Sequence, residues 1–238
     1  MVFWPVIVAS WLILFWLMFL YFELHTEASL GSFSRSPQVV MPMFGLGVFL
    51  SEPGDETRVA SELALANDYI MIDTAQGYDN EQSVGEAIKD KDRSSLFIVT
   101  KLAGDNHGAE GVRTSIRESL EKLGTDYVDL FLIHNPRGLD VLETWEAMLE
   151  VKAQGLARAV GVSNFGVSHL KALKAAGLEM PEVNQVELHC WHQQTLLVKY
   201  HATENIATMG YCPSMSASSS SATCTHYASS WAVFAHGR

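Results

Sequence analysis

Short apolar segments alternate along residues 41–214 with longer stretches in which apolar residues recur every three or four positions. The apolar segments have the length and the content of β-branched and aromatic residues that are typical of buried strands. There are seven of them, at residues 43–49, 69–73, 96–101, 128–134, 157–163, 183–188 and 206–211. The pattern therefore predicts seven strands separated by helices.

The intervening stretches have the period of an amphipathic helix and end at glycines. Val112, Ile116, Leu120 and Leu123 share one helix face, and Gly124 follows as a stop signal. The same scheme is repeated by Leu142, Trp145 and Leu149 before Gly155, and by Leu170 and Leu173 before Gly177. Strands that alternate with helices at this spacing form a parallel sheet through right-handed crossovers, so we predict an α/β fold.

Such a sheet can stay open and doubly wound, or it can close into a barrel. Polar side chains capable of chemistry follow several of the strands, namely Asp73, Lys101, His134, Ser163 and Asn164. A TIM-type (β/α)8 barrel assembles its site from the C-terminal ends of many strands, whereas an open sheet collects function at one switch point. Gly45-Leu46-Gly47 lacks the third glycine of a dinucleotide fingerprint. The sequence therefore favours the barrel.

The two ends of the chain depart from this repeat. Six strand-helix units and a seventh strand are present, so we expect a barrel truncated after about strand 7, with residues 215–238 as a serine-rich irregular tail. Residues 1–22 carry no charged side chain and can reach across a bilayer, which predicts a transmembrane or signal-anchor helix. A cleaved signal peptide and unrelated upstream sequence are the alternatives. Residues 23–40 are predicted to be a linker.

Composition narrows the classes of function. The chain has 16 Lys and Arg against 27 Asp and Glu, a formal net charge of −11, and no basic cluster. This charge balance excludes an electrostatic nucleic-acid binder. The three cysteines lack C-x-x-C spacing and predict neither a disulfide framework nor a zinc site. His189, His192 and His201 lie near one predicted helix start, but without a thiolate or carboxylate at ligand geometry we predict no metal site.

Four polar residues form a set that suits carbonyl reduction. Tyrosine keeps its proton at neutral pH and can donate it to a carbonyl oxygen when a hydride reaches the carbon. A nearby lysine stabilises the resulting phenolate, an anion holds the lysine, and a histidine orients the carbonyl. Tyr78, Lys101, Asp73 and His134 are residues of these types, each at or just beyond the end of a predicted strand.

The motifs around these residues resemble those of the aldo-keto reductase family. The segment Ile72-Asp73-Thr74-Ala75-Gln76-Gly77-Tyr78-Asp79-Asn80-Glu81, followed by Val84-Gly85, is similar to the family signature I-D-T-A-x-x-Y-x-N-E-x-x-V-G. Two segments of this chain resemble the family motifs of the fourth and fifth strands, namely Leu132-Ile133-His134-Asn135-Pro136 and Gly161-Val162-Ser163-Asn164-Phe165. The match is extended by Asn184-Gln185-Val186-Glu187 and Tyr211-Cys212-Pro213. The resemblance covers about residues 41–214 and implies an NADP(H)-dependent oxidoreductase domain there.

The resemblance implies roles for the four residues of the catalytic set. Tyr78 would be the proton donor, and Lys101 would lower the pKa of its hydroxyl. Asp73 would pair with Lys101, and His134 would polarise and orient the carbonyl. The expected reaction is the reduction of a small aldehyde or ketone to an alcohol.

The resemblance also implies a cofactor site and a substrate wall. Ser163, Asn164 and Gln185 would hold the carboxamide of a nicotinamide ring, and Tyr211 would stack on its face. Phe49 occupies the position of an aromatic wall, together with His134 on the substrate side, so an apolar carbonyl compound would fit. NADPH is the expected cofactor, and NADH is not excluded.

Three departures from the family pattern keep other hypotheses open. Cys190 replaces a common proline and Cys212 a common serine, and both changes look tolerable. The family segment after strand seven, which grips the adenosine 2′-phosphate and the pyrophosphate, has no counterpart here. The alternatives are therefore a catalytically inactive truncated barrel, acting as a partner-binding remnant with exposed edges on its first and seventh strands, or a faulty gene model. A domain tethered by residues 1–22 would face the cytoplasm, and an untethered one would be soluble in it.

Overall fold

A mostly parallel sheet organises the part of the chain that the structure describes. The computed structural model describes residues 32–34, 40–138, 140–212, 231–232 and 234–236. All of these except Ser32 belong to one compact unit, Phe33–Arg238. The strands are β1 (Ser32–Ser34), β2 (Val40–Pro42), β3 (Leu46–Gly47), β4 (Met71–Asp73), β5 (Phe97–Leu102), β6 (Val128–Ile133), β7 (Ala157–Ser163), β8 (Val183–Glu187), β9 (Ala207–Tyr211), β10 (Trp231–Ala232) and β11 (Phe234–His236). The helices are α1 (Asp55–Ala66), α2 (Glu81–Ile88), α3 (Ala109–Leu123), α4 (Val141–Ala153), α5 (Val167–Ala175) and α6 (Thr195–Glu204).

The seven predicted strands form a parallel barrel wall. Strands β3 to β9 are hydrogen-bonded to one another in chain order, and each pair is parallel. One α-helix follows each of the strands β3 to β8. The order confirms the predicted TIM-type α/β architecture with seven parallel strands, because each crossover leads to the neighbouring strand.

Two short strands pair with the ends of this wall. Strand β10 is antiparallel to β3, and β11 is antiparallel to β9. The expectation of exposed edges on the first and seventh parallel strands is therefore wrong for this structure, because backbone groups of β10 and β11 pair with both edges. Strands β1 and β2 form a separate two-stranded sheet.

The predicted helix faces are buried, with one exception. In α3, Val112, Ile116 and Leu123 are fully buried, and the helix ends at Gly124, whose φ of 64° is the left-handed conformation of a C-cap glycine. In α4, the predicted face includes Leu142, which lies in the first turn and is 43% exposed. Trp145, on the same predicted face, is fully buried.

Strand residues are buried on both faces of the sheet, as expected for a parallel barrel. The outward side chains pack with the helices into one cluster that includes Ile98, Phe131 and Val160. The inward side chains fill the barrel with a second cluster that contains Met41, Met71, Phe97, Val99, Leu130, Leu132, Ala159, Val183, Ala207 and Met209. The interior is therefore a packed core, and a site can form only at its ends.

Two glycines of the family motifs allow close packing. A Cβ atom on Gly85 of α2 would lie 2.5 Å from the carbonyl oxygen of Lys122, at the end of α3. A Cβ atom on Gly161 of β7 would lie 2.5 Å from the carbonyl oxygen of Val183. Both contacts are with backbone atoms, so a larger residue would push a helix or a strand away.

Some predictions fall beyond the described residues. The predicted anchor over residues 1–22 and most of the serine-rich segment lie outside them. Among the residues that the structure does describe, none of the helices combines the length and apolarity that a bilayer span requires.

Candidate active site

The inward side-chain row of the barrel ends in polar residues on six strands. Successive side chains of a strand point to opposite faces, so the inward row of β5 runs through Phe97, Val99 and Lys101. In each neighbouring strand the same alternation places a polar side chain after the apolar side chains that point into the barrel. The residues at the end of the inward rows are Asp73, Lys101, His134, Ser163, Gln185 and Tyr211. The alternation therefore brings most of the predicted site residues to one end of the barrel.

A buried ion pair lies at the centre of this site. The Nζ atom of Lys101 is 2.7 Å from Oδ1 of Asp73, and the two side chains are 0% and 6% exposed. Lys101 also donates to the carbonyl oxygen of Thr74 at 3.0 Å, and Gln185 donates to the second carboxylate oxygen of Asp73 at 3.0 Å. Both charges are thus paired and hydrogen-bonded, which a buried ion pair requires.

The hydroxyl of Tyr78 completes the coordination of Lys101. Lys101 donates to this oxygen at 3.2 Å, which occupies the third hydrogen of the ammonium group. An ammonium group has no acceptor, so the hydroxyl hydrogen of Tyr78 must point away from Lys101. This leaves the tyrosine with a proton that is available to another acceptor.

Burial dominates the acidity of this phenol. It raises the pKa of Tyr78, although the charge of Lys101 acts in the opposite direction. The prediction that Lys101 lowers this pKa thus describes one contribution, and the net pKa lies above its ordinary value. Burial on its own would lower the pKa of Lys101, but the nearby Asp73 and Tyr78 raise it overall. At neutral pH the pair is an ammonium ion beside a protonated phenol.

The imidazole of His134 faces the same phenol. The ring centroids of Tyr78 and His134 are 5.5 Å apart, in an edge-on arrangement. Burial and the charge of Lys101 lower the pKa of His134 to about 4. The ring is therefore neutral at pH 7 and carries one N–H donor, which suits an uncharged carbonyl oxygen.

The residues predicted to hold the carboxamide are linked to one another. The hydroxyl of Tyr211 donates to Oδ1 of Asn164 at 2.8 Å, and Asn164 donates to the backbone oxygen of His134 at 3.0 Å. Ser163 accepts from Asn164 at 3.1 Å and donates to the backbone oxygen of Gln185 at 2.9 Å. Asn164 has a φ of 62°, a left-handed conformation that asparagine tolerates better than most residues. The structure thus orients this amide before any ligand binds.

These side chains surround a pocket of about 150 Å³. Its lining consists of Gly47, Phe49, Asp73, Tyr78, His134, Asn164, Gln185, Tyr211 and Cys212. The ring of Phe49 lies 5.0 Å from that of Tyr78, so the predicted aromatic wall borders the phenol. Lys101 and Ser163 do not line the pocket and contact it through Tyr78 and Asn164.

A larger cavity of about 470 Å³ is lined in part by Ala157, the first residue of β7. It therefore lies near the opposite end of the strands from the pocket. Its basic residues are paired, Lys152 with Glu179 and Glu182 and Arg158 with Asp129. The lining of this cavity contains no tyrosine or histidine, whereas that of the smaller pocket contains both.

Four residues of the site region were not predicted. Gly47 and Cys212 line the pocket, and Gln76 and Asn80 are buried polar residues on either side of Tyr78. Gln76 fixes the 3₁₀ turn Gln76–Tyr78, since its amide donates to Ser115 O at 3.1 Å and accepts from Ala103 N at 3.0 Å. The family signature specifies asparagine at the position of Asn80. This match was the sequence signal that could have indicated a role for Asn80.

Comparisons with known proteins agree with this geometry. The sequence profile of the aldo/keto reductase family matches residues 49–225. An aldo-keto reductase of Mycolicibacterium vanbaalenii is 42% identical over 178 residues, which are 73% of this chain and 63% of that protein. Methylglyoxal reductase DkgA of Escherichia coli is 40% identical over 178 residues, 73% of this chain and 64% of that protein. The chain therefore spans slightly less than two thirds of the length of these relatives.

A solved structure shows the same fold. The aldo-keto reductase of Bombyx mori, determined in complex with NADP, is 35% identical and superimposes with a TM-score of 0.69, covering 72% of this chain and 62% of that one. The fold and the extent of the family match define an α/β-barrel protein of the TIM type. The chain belongs to the aldo-keto reductase family, as the motifs predicted.

Proposed function

We propose that the protein reduces small aldehydes or ketones to alcohols with NADPH, and that Tyr78 donates the proton. The observation that carries this proposal is the double contact of Lys101, whose Nζ donates to Asp73 at 2.7 Å and to the Tyr78 hydroxyl at 3.2 Å. This arrangement leaves the phenol hydrogen free to face a pocket that is also lined by His134. The name of the Escherichia coli relative, methylglyoxal reductase, supports a small carbonyl substrate.

Tyr78 delivers its proton to the carbonyl oxygen as negative charge develops there. The phenolate that remains is stabilised by the ammonium group of Lys101, which already donates to the same oxygen. Asp73 keeps Lys101 in place through the 2.7 Å ion pair. Because Lys101 is fully buried, its charge is poorly screened by water and acts strongly on the phenolate.

His134 orients the substrate in this mechanism. With a pKa of about 4 its ring is neutral at pH 7 and can donate one hydrogen bond to the carbonyl oxygen. A neutral donor polarises the carbonyl without competing with Tyr78 as a strong acid. The two rings lie 5.5 Å apart, so both can reach one small oxygen between them.

The lining of the pocket supports our proposal that it holds a nicotinamide ring. The ring of Tyr211 lines it, and Asn164 and Gln185 place side-chain amides on its wall. A carboxamide has N–H donors and a carbonyl acceptor, which match side-chain amides. A dihydronicotinamide bound there would supply the hydride. We propose NADPH because the Bombyx mori relative was determined with NADP, and NADH is the alternative to be compared.

The proposal is tested by steady-state turnover of the purified full chain, with methylglyoxal as the probe and NADPH consumption as the readout. The variant is Tyr78→Phe, which keeps the ring beside Phe49 but removes the proton. We expect kcat to fall by about 100-fold or more, with NADPH affinity unchanged. Tyr69→Phe is the matched control, because Tyr69 contacts Phe44 and does not line the pocket.

Two outcomes would overturn the proposal. One is a Tyr78→Phe variant that retains the turnover of the Tyr69→Phe control. The other is a folded chain that binds NADPH but consumes none with any aldehyde or ketone, which would favour the inactive barrel. Repeating the turnover measurement with NADH in place of NADPH measures the preference between the two cofactors.

The predicted anchor over residues 1–22 is a separate proposal. We propose that it holds the reductase domain on the cytoplasmic side of a membrane. The test is alkaline extraction of membranes from cells that express the full chain, compared with the variant Ile13→Arg. We expect the unaltered chain in the membrane pellet and a loss on substitution, because a central arginine opposes insertion by about 2.5–3.5 kcal/mol. Recovery of both chains in the supernatant would contradict the anchor.

A further inference from the structure

A buried histidine outside the pocket is linked to the loop that carries Asn164. His201 lies in α6, is fully buried and does not line the pocket. Its Nε2 atom is 2.9 Å from Nδ2 of Asn184, and its Nδ1 atom is 2.9 Å from Oγ1 of Thr208. Asn184 and Thr208 lie on β8 and β9, and both are buried. Both ring nitrogens of His201 therefore have polar partners away from the reacting groups.

The side chain of Asn184 binds both backbone groups of Phe165. Its Nδ2 atom donates to the carbonyl oxygen of Phe165 at 2.8 Å, and its Oδ1 atom accepts a longer bond of 3.4 Å from the backbone N–H of the same residue. The paired register of β7 and β8 ends at Ser163 and Gln185, so Phe165 lies beyond the last strand pair. The amide of Asn184 thus takes the place of a neighbouring strand for this residue.

These contacts also determine the tautomer of His201. The amide nitrogen of Asn184 has two hydrogens, of which one is donated to Phe165 and the other points to Nε2 of His201. Nε2 must accept this bond, so the ring proton lies on Nδ1 and is donated to Thr208. Burial lowers the pKa of His201 to about 4, so the ring is neutral at pH 7 and keeps its acceptor.

The backbone of Phe165 is directly connected to a pocket residue. Phe165 follows Asn164, which lines the pocket and has a φ of 62°. A residue other than glycine keeps this left-handed conformation where the contacts around it hold the backbone. The N–H of Asn164 donates to the carbonyl oxygen of Gln185 at 2.8 Å on one side, and Asn184 holds Phe165 on the other. A displacement of Phe165 would therefore turn the Asn164 amide away from its place on the pocket wall.

We infer that His201 is a positioning residue for the cofactor site, which acts through Asn184 and Phe165 to hold the amide of Asn164 in the pocket. The inference rests on the proposed reductase function, because Asn164 binds the cofactor only in that proposal. His201 touches none of the residues proposed to transfer the proton. We therefore expect it to affect the affinity for the cofactor and to leave the chemical step unchanged.

The test measures the affinity of the purified full chain for NADPH by quenching of its intrinsic fluorescence. His201→Leu keeps a side chain of considerable volume but removes the acceptor for Asn184. We expect Kd for NADPH to rise about tenfold, the size of one lost hydrogen bond, and KM for NADPH to rise with it. At saturating NADPH, kcat for methylglyoxal should change by less than about threefold.

Two matched variants separate positioning from a general loss of stability. His201→Gln offers a side-chain oxygen that can accept from Asn184, so we expect its Kd to stay within about threefold of that of the unaltered chain. Leu197→Ala removes buried apolar atoms one turn earlier in the same helix, and it should lower the melting temperature without changing Kd. An unchanged Kd in His201→Leu, or an equal rise in Leu197→Ala, would overturn the inference.

A double-mutant cycle tests the path through Asn184. If His201 acts through this side chain, then His201→Leu has no further effect on Kd in the Asn184→Ala background. The same rise in both backgrounds would show that His201 acts by another route and would overturn the inference.

Two measurements do not depend on cofactor binding. Proton–nitrogen correlation NMR spectra distinguish a protonated ring nitrogen from an unprotonated one, and His201→Gln identifies the signals of His201. We expect the proton on Nδ1, and a proton on Nε2 would overturn the inference, because Nε2 would then face the donor Nδ2 of Asn184. Amide exchange at Phe165 should become faster in His201→Leu, and unaltered exchange would contradict the link. If the unaltered chain binds no NADPH, the proposed function fails, and these two measurements still decide whether His201 holds Phe165.

Discussion

Replacing Lys101 by methionine should destabilise the protein strongly, because it leaves a buried carboxylate without its cation. In the structure Lys101 is fully buried and Asp73 is 5% exposed. After Lys101→Met, the Asp73 carboxylate keeps only the donor Gln185 among the side chains that now bind it. Breaking a buried ion pair in this way costs about 3–5 kcal/mol of the free energy of unfolding.

Removing the charge of both partners should recover part of this loss. In the double variant Asp73→Asn with Lys101→Met neither position carries a charge, so we expect it to be about 2 kcal/mol more stable than Lys101→Met alone. The assay is urea unfolding followed by tryptophan fluorescence, with the midpoint compared at constant slope. Lys152→Met is the matched control, because Lys152 pairs with Glu179 and Glu182 at a partly exposed site, where a pair contributes about 1 kcal/mol or less.

The pH dependence of this difference has a definite sign. The pKa of Lys101 is raised in the folded protein, so the ion pair contributes fully below the unfolded pKa of about 10.4. The stability gap between the unaltered chain and Lys101→Met should be constant near neutral pH and should shrink as the pH rises through the folded pKa. A Lys101→Met variant that loses less than about 1 kcal/mol, or a double variant no more stable than it, would refute the reasoning.

Further predictions concern catalysis and packing. The rate of carbonyl reduction should be constant across neutral pH and fall above about pH 10, because Tyr78 has a raised pKa and must be protonated to donate. A pH–rate profile that falls near pH 7 would contradict the assignment, since His134, with a pKa of about 4, is already neutral there. Asp129→Asn should lower the free energy of unfolding by about 2–3 kcal/mol, because this buried carboxylate accepts from Arg93 and Arg158 at 2.7 Å. Gly85→Ala should lower the melting temperature, since the new Cβ would lie 2.5 Å from a backbone oxygen of α3, and an unaltered melting curve would show that the helices can separate at no cost.

Much of the fold could be predicted because its signals are local. The seven strands follow from short apolar segments rich in β-branched and aromatic residues, and the helix face of α3 follows from a period of about 3.6 residues. Both signals are properties of single segments. Once the strands are known, a period of two assigns Asp73, Lys101 and Gln185 to the inward row of their strands. Periodicity assigns a residue to a helix face but does not show whether another element covers each turn of that face, and Leu142 in the first turn of α4 is 43% exposed.

The pairing of the outer strands could not be predicted. Strands β10 and β11 lie in a segment whose serine-rich composition has no strand period, and their partners β3 and β9 are distant in sequence. Strands pair through backbone hydrogen bonds, so the side chains of a strand give little indication of which distant strand is its partner. The hydrogen bonds from Asn80 to the carbonyl oxygens of Val48 and Ser51 could not be predicted for the same reason, since they join residues 32 and 29 positions apart.

The sequence by itself determined the parallel α/β architecture, the family and the set of residues that could reduce a carbonyl, because each depends on residue type and spacing along the chain. The tertiary structure decided the net acidity of the proton donor. Lys101 alone suggested a lowered pKa for Tyr78, but burial among residues from several strands raises it. It also decided that the ring of Phe49 lies 5.0 Å from the ring of Tyr78. Both properties depend on distances and on excluded water, and these exist only once the strands have come together.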